Sequence, residues 1–215
     1  MKKRDKRLFF AGVGLLLLFV LWTVLVRYID VQPIGPRGSS VGFAGLNKFV
    51  HGLTGVNMSL YNITDWLGLV PIAVAFVFAI LGLIQWIKRK KIWLVDYSIL
   101  VLGGFYIIVI SVYILFEMLV INYRPVLING YLEASYPSST TMLVMCVMPT
   151  AIMQLNTRIK RRMLKNSITF IIVAFIAFMV IGRLISGVHW ISDIIGGSLI
   201  SASLVMIYHY VCGLK

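Results

Sequence analysis

His189 and Asp193 stand four positions apart, the spacing that places two side chains on one face of a helix. There the carboxylate can accept the proton of one imidazole nitrogen and leave the other basic and directed outward. The same spacing equally suits a histidine at headgroup level with Asp193 as a structural partner. Arg183 lies six residues before His189, and Arg124 is followed at once by Pro125, which biases the backbone there away from a helix. Planar guanidinium forks bind phosphoryl oxygens in pairs. Ser138 follows Pro137 at the head of an apolar run, adding a hydroxyl and the free amides of a helix start. Two arginines, a helix N-terminus and a carboxylate-paired histidine are the parts that in-line phosphoryl transfer through a phosphohistidine needs.

The elements that must position these groups are membrane spans. The 215-residue chain is 60% hydrophobic and 13% charged, too little charge to clothe a soluble domain. Apolar runs long enough to cross about 30 Å of hydrocarbon recur along it. The pattern predicts an all-α, polytopic membrane protein, a six-transmembrane-helix bundle forming a single domain over 1–215, with spans at about 8–26, 66–87, 97–117, 139–155, 168–183 and 190–211. The first run is longer than the apolar core of a secretory signal and is followed by Arg27-Tyr28-Ile29-Asp30, so it reads as a retained anchor. Cys146 and Cys212 both fall inside runs, which indicates neither a disulfide framework nor a metal knuckle.

The formal charge of +13 is not spread as a nucleic-acid groove would need. Lys2, Lys3, Arg4, Lys6 and Arg7 precede the first run, Lys88–Lys91 follow the second, Arg158 to Lys165 follow the fourth, and Lys215 ends the chain. Alternating spans put all these blocks on one side, the cytoplasmic one by the positive-inside rule, with both termini there. The expected partners are therefore membrane lipids, not nucleic acid. In the long first outer connection, Phe43, Leu46, Phe49, Val50 and Leu53 follow helical spacing, compatible with an interfacial amphipathic helix or an ordinary packed loop. In the second and third outer connections and at their edges stand the ionisable residues Glu117, Arg124, Glu133, Arg183, His189 and Asp193. A charge near a bilayer is costly and marks a functional candidate. A transporter would instead place charges at mid-membrane and show inverted repeats.

Arg124-Pro125, then Tyr136-Pro137-Ser138-Ser139-Thr140, then Gly182-Arg183 with His189 and Asp193 resemble the three signature motifs of the type 2 phosphatidic acid phosphatase family. The likeness covers roughly residues 60–210. It implies a metal-independent lipid phosphatase of the cell membrane, without cofactor, with its site facing the extracytoplasmic side. His189 would be the nucleophile, Asp193 its orienting partner, and Arg124, Ser138 and Arg183, with Ser139 and Thr140 beside them, the phosphate ligands. The substrate would be a phosphorylated lipid of the undecaprenyl diphosphate, phosphatidylglycerophosphate or phosphatidate class. The chain also departs from the pattern. Glu117 stands where a lysine is usual, Gly182 where a serine is usual, and Ser139-Thr140 where Gly-His is usual.

That missing histidine is the family's general acid, and losing such an acid typically costs on the order of 10²- to 10⁴-fold. Three readings follow. Another group could donate the proton, with Glu117 first among Glu117, Glu133 and His51. A diphosphate could be the substrate, since a departing phosphate is far more stable as an anion than an alkoxide. Or the chain could bind or sense phosphorylated lipids without turning them over.

Overall fold

The computed structural model describes residues 6–213; Lys2, Lys3 and Arg4 of the first basic block, and Lys215, lie outside them. The described chain is helical: α1 (Lys6–Tyr28), α2 (Ala44–Thr54), α3 (Met58–Leu67), α4 (Leu69–Arg89), α5 (Tyr97–Met118), α6 (Ser139–Arg158), α7 (Arg162–Ile185) and α8 (Ile191–Cys212). In hydrocarbon every backbone amide must be satisfied within the chain, and helices do this segment by segment. Large apolar side chains such as Phe76, Ile107 and Phe170 remain exposed on the outer faces of α4, α5 and α7. Such a belt is suited to lipid rather than water.

Five helices among the described residues are long and apolar enough to cross a membrane: Lys6–Tyr28, Met58–Arg89, Tyr97–Met118, Arg162–Ile185 and Ile191–Cys212. This differs from the six expected, and the difference lies at 139–155. A helix does form there, but α6 carries Thr140, Thr141, Pro149, Thr150 and Gln154 and is not among the five. It packs against α4, α5, α7 and α8, and a helix so enclosed can carry polar side chains that find partners inside. The Thr150 hydroxyl donates to the Cys146 carbonyl at 3.0 Å, and Gln154 Nε2 donates to the Tyr208 hydroxyl at 2.6 Å.

The second span starts earlier than 66, because α3 leads into α4 through Gly68. The fifth starts at Arg162 rather than 168, since long basic side chains reach out from a helix end while their stems stay apolar. The segment 44–54 is helical as one of its two readings anticipated. Leu46, Phe49 and Leu53 are exposed on α2 while Asn47 is buried, with Nδ2 donating to the Gly42 carbonyl at 2.7 Å and to the Ser192 hydroxyl at 2.9 Å.

α1 runs along α8, where the Ser203 hydroxyl donates to the Gly12 carbonyl at 2.8 Å and Trp22 Nε1 donates to the Ser192 carbonyl at 3.1 Å. The main core joins Phe19, Phe105, Tyr136, Met142 and Tyr208. At one end of the bundle, Asp96 lies 3.0 Å from Arg89 and 3.9 Å from Arg158, tying the foot of α5 to α4 and α6. At the other end meet the C-termini of α5 and α7, the N-termini of α6 and α8, and the 119–138 loop. Those helix ends carry the residues singled out above.

Candidate active site

His189 does not lie on α8, as its spacing to Asp193 suggested, but two residues before it. Asp193 is the third residue of the helix and turns back, its Oδ2 accepting from the Trp190 amide at 3.0 Å. A carboxylate there satisfies one of the free amides of the helix start. Asn122 Nδ2 and the Ser192 hydroxyl each approach Asp193 Oδ1 at 3.4 Å. His189 Nδ1 is 3.8 Å from Asp193 Oδ2, close enough to orient the ring electrostatically but beyond a hydrogen bond. The turn feeding His189 requires Gly187. Its φ is +66°, and a side-chain carbon there would fall 1.8 Å from the Gly55 carbonyl.

Arg183 ends α7 with its side chain 1% exposed, Nη1 lying 3.4 Å from Asp65 Oδ1 and 3.5 Å from the Thr64 hydroxyl. Arg124 sits in the 119–138 loop, its amide donating to the Glu133 carbonyl at 3.0 Å and its Nε lying 3.2 Å from Glu133 Oε2. Both guanidiniums lie against one aromatic ring. Their central carbons lie 4.9 Å (Arg183) and 5.9 Å (Arg124) from the centroid of the Tyr61 ring. Arg124 Nη1, Arg183 Nε and both ring nitrogens of His189 are buried with no hydrogen-bond partner among the described residues. Buried polar groups in folded chains are nearly always paired, so such a cluster needs an explanation.

Ser138 caps α6, its hydroxyl accepting from the Thr141 amide at 3.4 Å while its own amide donates to the Asp193 carbonyl at 3.1 Å. It thereby locks the head of α6 to α8. Ser139 and Thr140 are half-buried in the first turn of α6. A methyl at Gly68 would lie 3.7 Å from Thr140 Cγ2, so Thr140 abuts the α3–α4 junction. Glu117 is brought to the rim and is exposed; it lines a crevice with Tyr113, Ser135, Pro137 and Ser139. The His51 ring lies 5.4 Å from that of Trp190, beside His189 in sequence. Glu133 is engaged with Arg124.

Burial first, then the Arg124 and Arg183 guanidiniums, hold His189 well below the ordinary imidazole range. The ring is therefore neutral near pH 7, the form that can attack an electrophile. Beside it the two cations offer unpaired N–H groups to an anion. Among the described residues no group of three or more His, Cys, Asp or Glu gathers as metal ligands.

Three participants were not visible in the sequence reading: Tyr61, Thr64 and Asp65, all on α3. Asp65 is one of seven acidic residues in a strongly basic chain, and Tyr61 precedes it by the four positions that share a helix face. That signal was present but lay inside what read as a loop.

Residues 121–214 match the PAP2 superfamily. In fold the chain is similar to a structure described as the first transmembrane PAP2 type phosphatidylglycerolphosphate phosphatase from Bacillus subtilis. The two share 17% identity and a TM-score of 0.57, with 92% of this chain and 94% of that chain covered. No curated protein is significantly similar in sequence. α3 lies outside the residues matched to the superfamily.

Proposed function

We propose that the chain, whose residues 121–214 match the PAP2 superfamily and whose fold is similar to that of a PAP2 type phosphatase, is a membrane lipid phosphatase. It removes phosphate from a monophosphate or diphosphate ester of a lipid at the extracytoplasmic surface of the cell membrane. The observation that carries this reading is the group of buried, unpaired donors on Arg124 and Arg183 beside a neutral, buried His189. Buried guanidinium donors left without a hydrogen-bond partner are costly even where each cation keeps a carboxylate on its other side. A phosphoryl group satisfies the donors and neutralises the charge.

In this mechanism His189 Nε2, the nitrogen turned from Asp193, attacks phosphorus while the bond to the lipid oxygen breaks and the leaving oxygen keeps its electron pair. Arg124 and Arg183 hold the equatorial oxygens, where charge develops. The amides at the head of α6, set by Ser138, add donors beside Ser139 and Thr140. Asp193 stabilises the imidazole as it becomes cationic. Water then attacks the phosphohistidine, releasing inorganic phosphate and regenerating the ring. Where the leaving group is an alkoxide, Glu117 at the rim is the proton donor; where it is a phosphate, none is needed. With α6 taken as a sixth crossing, the basic loops and both termini lie in the cytoplasm and the site faces outward.

The test is phosphate release by the purified protein from matched lipid monophosphate and diphosphate, beside His189→Ala. Turnover of at least one lipid by the native protein, abolished by the substitution, is expected. Lipid binding without turnover overturns the catalytic reading and favours a binding protein. If the monophosphate is cleaved as fast as the diphosphate, the leaving group is not decisive, and Glu117→Gln should then remove the activity.

A further inference from the structure

We infer that Tyr61 is a positioning residue of the phosphate site, its ring holding the Arg124 and Arg183 guanidiniums together for one anion. This rests on the lipid phosphatase reading and extends it to a helix outside the superfamily match. Arg183 is anchored by Asp65 and Thr64 on α3, and Arg124 by Glu133 on the 119–138 loop. Those carboxylates belong to separate elements, so neither brings the two cations to a common point. Left to themselves, two desolvated guanidiniums repel. The Tyr61 ring faces both, at 4.9 and 5.9 Å. An aromatic face within about 6 Å attracts a cation through its quadrupole, more strongly when the pair is desolvated. Tyr61 is 9% exposed and Arg183 1%, so water screens little here.

The placement of Tyr61 is built in at both ends of its helix. The Asn57 side chain caps α3 by accepting from the Leu60 amide at 2.9 Å, and the Asn57 amide donates to the Ser186 carbonyl at 3.0 Å. That second bond ties the start of α3 to the turn that carries His189. Further along, α3 closes on α7 at Gly182, where a side-chain carbon would come within 2.8 Å of Thr64 Cγ2. The ring is thus fixed relative to both the nucleophile loop and Arg183.

The experiment compares native protein with Tyr61→Phe, Tyr61→Leu and Tyr61→Met, using orthovanadate as the phosphate-like probe and lipid phosphate as substrate. Tyr61→Phe keeps the ring and is expected to stay within about twofold of native in vanadate inhibition constant and in kcat/KM. Leu and Met remove the ring face; both are expected to weaken vanadate about tenfold and to lower kcat/KM in parallel. A merely structural role lowers the folded fraction, and with it kcat, while the inhibition constant of the surviving protein stays unchanged. Unchanged inhibition constants in the Leu and Met variants overturn the proposal, as does a Phe variant as damaged as Leu. Because vanadate binding can also be read by its effect on the unfolding midpoint, native protein that turns over no lipid overturns the catalytic reading separately. The Tyr61 comparison remains legible in that case.

Discussion

Burial drives a proton away from His189, and the two guanidiniums proposed to hold a phosphate beside it act in the same direction. The folded imidazole therefore titrates well below its usual range. In the unfolded chain the same ring takes a proton near pH 6.5. The sign follows from proton counts: between those two values the unfolded state binds the extra proton, so stability is full above about pH 6.5 and is lost as pH falls below it. Unfolding midpoints of detergent-solubilised native and His189→Asn protein, measured from pH 8 to pH 5, should fall further in the native protein below about 6.5, by the part that His189 contributes. An equal drop in both proteins would place the acid sensitivity elsewhere. At this scale the sequence was informative for groups whose chemistry is intrinsic. His189, Asp193, Arg124 and Arg183 were recognisable by type and spacing, and they meet. Ser138 was recognisable as a helix start, and its hydroxyl is spent on the cap. Glu117 reaches only the rim, because it rides the last turn of α5, outside the buried cluster.

Elements explain one departure from the family pattern that residues alone leave open. Gly182 occupies a position where a serine is usual, and nothing in the linear motif says why. In the folded chain α3 presses on α7 there, with Thr64 Cγ2 only 2.8 Å from where a side-chain carbon would be built. Gly182→Ser should therefore act as an overpacking change, destabilising by about 1–3 kcal/mol, and should tilt Tyr61 and Asp65 away from Arg183. Combining it with Thr64→Ser, which deletes the offending methyl and keeps the hydroxyl, should recover most of the lost unfolding midpoint and activity. If the double variant is no better than the single one, the contact at Gly182 is not what limits that position. α3 went unseen in the sequence because it is only ten residues long and is separated from α4 by a single glycine. Asn57, Ser59, Asn62, Thr64 and Asp65 make the segment polar enough to read as the end of the preceding loop. α2 was easier to see, since its apolar residues keep helical spacing. That its polar Asn47 points inward and its apolar face outward depends on what surrounds the helix, which no local pattern records.

For the whole molecule the open quantity is the number of crossings, and it turns on α6. Five helices qualify by length and apolar composition, and α6 does not. Composition judges a helix as though lipid touched all of it, whereas α6 is surrounded by α4, α5, α7 and α8 and pairs its polar groups within the bundle. The same enclosure explains why the run 139–155 read as a span from its missing charges, though it is polar for one. Twenty residues of α-helix rise about 30 Å, enough to cross. If α6 crosses, the loop between α5 and α6 lies opposite both the loop before α5 and the loop after α6, and the basic blocks share one side. Labelling decides this. In a chain with Cys146 and Cys212 replaced by alanine, single substitutions Lys90→Cys, Tyr131→Cys and Lys160→Cys probe the three loops at exposed positions. A membrane-impermeant maleimide added to intact cells should label the Tyr131→Cys protein alone, and the other two should react only after the membrane is opened. Labelling of Tyr131→Cys and Lys160→Cys from the same side would mean that α6 does not cross. The arginine-rich loop after α6 would then share a face with His189, and the positive-inside argument for an outward site would fail with it.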